Sequence, residues 1–236
     1  MKPVFLIAVN FVREQRWPIF VLLLWVLLLA FLGLFSDIPR QREDLLFVFK
    51  QVAVYVIAFS VFFGGSAIYN ERKSRRILAV LSKSVARYQY LSGLVLGVAM
   101  TSGIYCFALG ITGSWTLGEA GFPIPQVWFF MVCLLLACTL AGTVALMFST
   151  FLNPFFAAGA TAAVLGLPAL ASQTIATQWQ YAIPVYPLAA IIMQSSFKSP
   201  GPAFWPPLGL AVVETLIFWA LSARIFSLVD IAVAVE

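Results

Sequence analysis

Six long apolar runs constrain the fold of this chain more than any other feature of its sequence. Hydrophobic residues make up 62% of the 236 residues, and charged residues only 10%. A water-soluble domain of this size cannot bury so much apolar surface, so the runs predict segments that cross a membrane. A hydrocarbon core about 30 Å thick needs about 20 apolar residues for each helical crossing. The predicted spans are residues 18–35, 49–69, 88–113, 126–151, 154–173 and 204–228.

These runs predict an all-α, polytopic membrane protein with six transmembrane helices in a single domain over residues 1–236. No cleavable signal is expected, because charged residues precede the first run and that run is long enough to span a membrane. The three cysteines all lie inside predicted spans, where a thiol behaves as a small hydrophobe. Neither a disulfide nor a metal site is expected from Cys106, Cys133 and Cys138.

Basic residues are divided unequally between the two sides of the predicted membrane. One side holds ten of the 14 lysines and arginines, located before the first span, between the second and third spans, and near the end of the sixth. Basic loops stay on the cytoplasmic side, so both termini are predicted to be cytoplasmic. The net charge of +5 follows from this topology. A basic groove with interleaved aromatic residues is absent, and no nucleic-acid partner is expected.

The segment "NERKSRRILAVLSKSVARYQY", residues 70–90, contains most of the cytoplasmic charge. Placed on a helix, its apolar and basic residues fall on opposite arcs of about 100° and about 120°, which predicts a short amphipathic helix after the second span. A loop lying on anionic head groups is an alternative, but it does not require the charges to be sorted by helical angle. The apolar arc contains Ile77, Leu78, Leu81, Val85 and Tyr88, and the basic arc contains Arg72, Arg75, Arg76, Lys83 and Arg87.

The longer segment "ERKSRRILAVLSKSVARYQYLSGLVLG" resembles part of the exporter-type (type 2) ATP-binding-cassette permeases. In that family a Glu-Arg pair ends the second span and leads into a cytoplasmic amphipathic helix, a bend and the third span. The small six-span form of the chain most resembles permeases linked to multicopper-enzyme maturation. The matching residues are Glu71, Arg72, Ile77, Leu78, Leu81, Ser82, Val85, Arg87 and Gly93.

The resemblance implies a permease subunit that exports a hydrophobic or amphipathic substrate across the membrane. The energy would come from ATP hydrolysed by a separate ATPase subunit. The chain has no G-x-x-x-x-G-K-[ST] phosphate loop, so it is not expected to be an enzyme, and ATP and Mg would bind to the partner chain. A second copy or a homologous permease would complete the route. The residues expected to form the ATPase-docking helix are Glu71, Arg72, Arg75, Arg76, Leu78, Leu81, Lys83 and Arg87.

Three further segments agree with that layout. The N-terminal stripe of Phe5, Val9 and Val12 predicts an interfacial helix before the first span. In "FLNPFF", Asn153 is a helix N-cap residue and Pro154 a first helical residue, which predicts a tight turn between spans four and five. The proline-rich segment 178–203 contains the apolar run "LAAIIMQSSF" and predicts short outer re-entrant helices between spans five and six.

Glu214 is the one acidic residue well inside a predicted span. A carboxylate there costs about 2.5–3.5 kcal/mol on insertion scales, which makes it a candidate contact for substrate or for a proton. The alternative is a protonated carboxyl hydrogen-bonded within the bundle. The chain contains no histidine, which excludes zinc and haem sites with His ligands and Ser-His hydrolases.

Two other functions stay open from the sequence. One is a non-transporting membrane anchor or assembly subunit of a multiprotein complex, and the other is a secondary transporter that works without ATP. Secondary transporters usually show internal repeats, broken helices or several ionisable groups within the membrane, and this sequence has one glutamate and no convincing repeat. Co-purification with an ATPase would favour the transporter subunit over both alternatives.

Overall fold

The computed structural model describes residues 2–35, 42–73, 85–119, 121–175, 182–193 and 205–228. These residues form eight α-helices and no β-strand, as the apolar runs predicted. The helices are α1 (Lys2–Glu14), α2 (Arg16–Phe35), α3 (Arg42–Lys73), α4 (Arg87–Glu119), α5 (Ile124–Ser149), α6 (Pro154–Thr174), α7 (Val185–Met193) and α8 (Trp205–Leu228).

Four of these helices are long and apolar enough to cross a membrane. The crossing segments are Leu46–Glu71 in α3, Arg87–Gly118 in α4, Ile124–Ser149 in α5 and Trp205–Leu228 in α8. Shorter apolar stretches occur in α2 and α6, at Arg16–Leu28 and Pro154–Pro168. An all-helical, membrane-embedded protein is compatible with these lengths.

Helix α5 lies at the centre of the described bundle and packs against α3, α4, α6, α7 and α8. Within its apolar stretch 72% of the residues are buried, more than in the other three long helices. Helices associate in lipid through close van der Waals contact, which small residues such as Ala137, Ala141 and Ala145 permit. The three cysteines are buried and unpaired, as expected from the sequence.

The contact between α3 and α5 depends on two glycines. A Cβ atom at Gly64 would overlap the backbone carbonyl oxygen of Gly142, so only a hydrogen fits at this crossing. One turn earlier on α3, the Ser60 hydroxyl donates a hydrogen bond to the backbone carbonyl of Cys138 on α5. Close backbone approach and an interhelical hydrogen bond are both typical of helix pairs in membranes.

Helices α1 and α2 are separated by a single non-helical residue, Gln15. Pro18 lacks a backbone N–H, which accounts for a break at this point. The N-terminal helix predicted from the sequence is therefore present, but it packs along α4 through Ile7, opposite Gly93, and Phe11, opposite Gly97. Of the predicted stripe, Phe5 is 56% exposed and available to lipid, whereas Val12 is partly buried and packs against the core.

The turn between α5 and α6 agrees with the sequence prediction, with Asn153 at the N-cap position and Pro154 as the first helical residue. The proline-rich segment contains the nine-residue helix α7, which packs on α5 and has Leu188 fully buried. Residues 182–184 before this helix are not helical, and residues 178–181 and 194–203 of the segment lie outside the described residues. Its predicted re-entrant path stays a prediction.

Candidate functional site

The predicted docking segment joins α3 to α4. Helix α3 continues through Glu71 and Arg72 to Lys73, and α4 begins at Arg87. Val85 and Ala86 are not helical, so a break in the helix precedes α4. Of the residues assigned to the predicted amphipathic helix, Arg72 therefore belongs to α3, Val85 is not helical and Arg87 belongs to α4. Residues 74–84, which include the predicted docking residues Arg75, Arg76, Leu78, Leu81 and Lys83, lie outside the described residues.

Glu71 is buried at the end of α3, with only 5% of its surface exposed. Charged side chains are almost never buried without polar partners, because removing them from water costs several kcal/mol. This burial places Glu71 within the packing of the bundle end. Its predicted part in docking a partner stays a prediction.

Arg87 contacts the far end of the chain. Its guanidinium Nη1 donates hydrogen bonds to the backbone carbonyls of Phe226 and Ser227, each at 3.0 Å. Both carbonyls lie in the last turn of α8, where helix geometry leaves carbonyl oxygens without an intrahelical partner. The negative end of the helix dipole also lies there and favours a cation. Arg87 therefore caps the C-terminal end of α8.

Three further contacts join α4 and α8 near these ends. The rings of Tyr90 and Phe226 are stacked with centroids 6.2 Å apart and an interplanar angle of 19°. The Trp219 indole N–H donates a hydrogen bond of 3.1 Å to the Ser92 hydroxyl. The Arg87 guanidinium carbon also lies 6.0 Å from the centroid of the Phe226 ring. We call Arg87, Tyr90, Ser92, Trp219 and Phe226 the α4–α8 clamp.

Arg87 is among the residues predicted from the sequence to dock a partner, and its part in the clamp was not predicted. Arg87 and Phe226 are 139 positions apart, and neither belongs to a motif that relates them. The sequence signal was an arginine at the boundary of a predicted span. This signal is weak, because the bias of basic residues toward the cytoplasmic side also places arginines at span boundaries.

Glu214 lies near the middle of α8, nine residues after Trp205 and 14 before Leu228. At 1.5 Å per residue these are distances of about 14 Å and about 21 Å along the helix. Its Oε2 atom is buried and has no hydrogen-bond partner among the described residues. Ala211, one turn earlier, faces the bundle, whereas Ile217, three residues later, is half exposed. Glu214 therefore lies at the border between the packed and exposed faces of α8.

The substitution Glu214→Gln distinguishes a structural carboxyl from a functional one. We expect it to leave the protein folded and to raise its stability by about 1 kcal/mol, because it removes an ionisable group from an apolar span. In a chain of this size that gain corresponds to a thermal midpoint about 2–4 °C higher. The measurement is thermal unfolding in detergent, with Thr215→Val on the same helix as the control. A lower midpoint for Glu214→Gln would mean that the carboxyl stabilises the bundle.

An apolar groove runs between α2 and α3. It has a volume of about 430 Å³ and is lined by Val21, Leu22, Leu24, Trp25, Leu28, Tyr55 and Phe59. Trp25 and Tyr55 supply the only polar side-chain atoms of this lining. The groove therefore offers mainly dispersion contacts at a position that faces lipid.

No protein-family model matches the chain, and no curated protein is significantly similar to it. The resemblance of residues 71–97 to exporter-type permeases therefore stays a prediction. What this chain does has to be argued from its own residues and contacts.

Proposed function

We propose that the chain is the transmembrane subunit of an exporter-type ATP-binding-cassette transporter. The observation that carries this proposal is the position of the basic segment. Residues 74–84 join two long apolar helices, α3 and α4, and three residues later Arg87 binds the end of α8. A partner that pushes on this short segment acts on three candidate membrane spans at once.

The proposed topology has six crossings, with α2 and α6 added to the four longest apolar helices. Their lengths of 20 and 21 residues correspond to about 30 Å, which matches the thickness of a hydrocarbon core. An even number of crossings places both termini on the side of the basic segment. With basic loops inside, this side is the cytoplasm of a prokaryotic cell and the membrane is its inner membrane.

The proposed mechanism depends on two partner chains. A separate ATP-binding-cassette subunit binds ATP and Mg, since this chain lacks a phosphate loop. A second copy of the permease, or a homologous one, completes the route through the membrane. Closure of the ATPase subunits moves the basic segments and shifts the populations of inward-facing and outward-facing states. The proposed cargo is a hydrophobic or amphipathic molecule that is exported.

A secondary transporter is the second candidate, because Glu214 places an ionisable group deep in α8. Such a protein would couple transport to protons and would need no ATPase. A membrane anchor or assembly subunit would also function without one. Association with an ATPase is therefore the property that separates the proposed function from both alternatives.

The double substitution Arg75→Glu and Arg76→Glu tests the docking role. We expect the variant to insert into the membrane normally. The amount of ATPase that co-purifies with it should fall at least about tenfold relative to the parent protein, because two attractive charge pairs become repulsive. The measurement is affinity purification from the native membrane, with the ATPase quantified by mass spectrometry. Arg13→Glu with Arg224→Glu is a matched control, since it reverses two exposed charges on the same side. Unchanged co-purification of the Arg75 and Arg76 variant would contradict the proposal.

A further inference from the structure

Helix α8 is the least buried of the four longest apolar helices. Only 17% of the residues in its apolar stretch are buried, compared with 72% in α5. It packs mainly against α5 and α4. At the end away from the basic segment, Trp205 makes one edge-on contact with Phe129 of α5, at 6.5 Å between ring centroids. Helix α8 therefore rests mainly on α5, and α4 adds contacts at its other end.

The hydrogen bonds and ring contacts described for that end join α8 to the first residues of α4. Arg87 is the first residue of that helix, and Tyr90 and Ser92 belong to its first two turns. Helix α4 also holds α1 close by, through Gly93 and, one turn later, Gly97. The non-helical pair Val85 and Ala86 directly precedes α4. Only Val85 and Ala86 separate residues 74–84 from Arg87. A displacement of residues 74–84 would therefore be transmitted to α8 through Arg87.

We propose that Arg87 is a positioning residue that makes α8 follow the movement of α4. Its guanidinium holds the C-terminal end of α8, and the Tyr90–Phe226 stack and the Trp219–Ser92 hydrogen bond fix the relative rotation of the two helices. Glu214 lies on the same rigid helix, 12 residues before Phe226, and moves with it. The source of the movement rests on the proposed function, whereas the clamp itself does not.

The chemistry of the guanidinium suits this role. One Nη1 atom has two N–H groups, and here they bind two successive carbonyl oxygens. A lysine keeps the positive charge that the helix dipole favours, but its compact ammonium lies on a different stem and lacks the planar geometry. A glutamine removes the charge and retains hydrogen-bonding capacity. The series Arg, Lys, Gln therefore separates charge from geometry.

The experiment measures the distance between the two helix ends with spin labels at Tyr88→Cys and Leu228→Cys, two exposed positions beside the clamp. The three native cysteines are buried, and the protein without these two substitutions serves to measure their background labelling. We expect one narrow distance distribution for the labelled parent. Arg87→Gln should give a broader distribution with a longer mean, and Arg87→Lys an intermediate one. Arg224→Gln removes an exposed charge near the same end of α8 and should leave the distribution unchanged.

The second measurement uses the complex with the ATPase. With Arg87→Gln we expect the ATPase to co-purify at the parent level, while its stimulation by the permease is lost. Loss of co-purification would instead make Arg87 a docking residue and would overturn the positioning role. An unchanged distance distribution in Arg87→Gln would also overturn the positioning role. If that variant does not fold, the distance distribution of Arg87→Lys is compared with the parent by the same criterion. If no ATPase associates with the parent protein, the proposed function fails, and the distance measurement still decides whether the clamp exists.

Discussion

Replacing Gly64 with alanine will destabilise the bundle, although the same replacement usually stabilises a helix. The added Cβ would overlap the carbonyl oxygen of Gly142 and lie 3.1 Å from the Cβ of Ala145. The first of these neighbours is a backbone atom, which cannot rotate away, so α3 and α5 must separate. Overpacking of this kind costs about 1–3 kcal/mol. Separation would also stretch the hydrogen bond from Ser60 to α5.

The measurement is the thermal midpoint of the detergent-solubilised protein, followed by size-exclusion chromatography. Gly159→Ala on α6 is the matched control, because nothing lies within 4 Å of the added Cβ there. That substitution should raise stability by up to about 1 kcal/mol through helix propensity. Opposite signs at the two glycines are the expected result. A stabilising effect at Gly64 would mean that α3 and α5 do not approach as closely as described.

The second large effect is expected at Gly97, where valine should release α1 from α4. A Cβ there would lie 2.7 Å from Cδ1 and 2.9 Å from Cβ of Phe11. Rotation of the Phe11 ring can relieve the first contact but not the second, since the Cβ is fixed to the backbone of α1. The helix must therefore move as a whole. This prediction separates a helix that is part of the bundle from one that only rests at the interface.

The reporter for α1 is the substitution Ala8→Cys, because Ala8 is fully buried. We expect slow maleimide labelling of this cysteine in the parent background and labelling about tenfold faster or more with Gly97→Val, as an overpacking cost of about 1–3 kcal/mol implies. Gly118→Val on the same helix is the control, since nothing lies within 4 Å of its added Cβ. Equal labelling rates in all three proteins would show that α1 is not held by α4.

The positions of the six longest described helices could be predicted from the sequence, because each coincides with an apolar run, and four of them are long and apolar enough to cross a membrane. The start of α6 could also be predicted, since Asn153 and Pro154 have defined preferences at a helix N-terminus. The packing face of α1 could not. Lipid and protein interior are equally apolar, so hydrophobicity does not show whether Phe5 or Phe11 faces the bundle. The space into which Phe11 packs is left by Gly93 and Gly97, which lie on another helix.

The same limitation applies to the candidate site. Sequence patterning identified the basic segment and Glu214, but it could not distinguish Arg87, which binds α8, from the neighbouring basic residues. That distinction depends on where the last turn of α8 lies in space. Contacts between residues so far apart along the chain follow from the packing of the whole bundle, and no local pattern encodes them.

The acceptors of Arg87 are main-chain oxygens, and this makes the clamp sensitive to helical register and tolerant of side-chain identity at Ser227. Any residue that keeps the last turn helical presents the same carbonyl there. An insertion or deletion of a single residue within α8 would instead rotate both carbonyls by about 100° and shift them by about 1.5 Å. Variants of this chain can therefore change residue 227 freely, whereas the number of residues between Trp219 and the end of α8 has to stay constant.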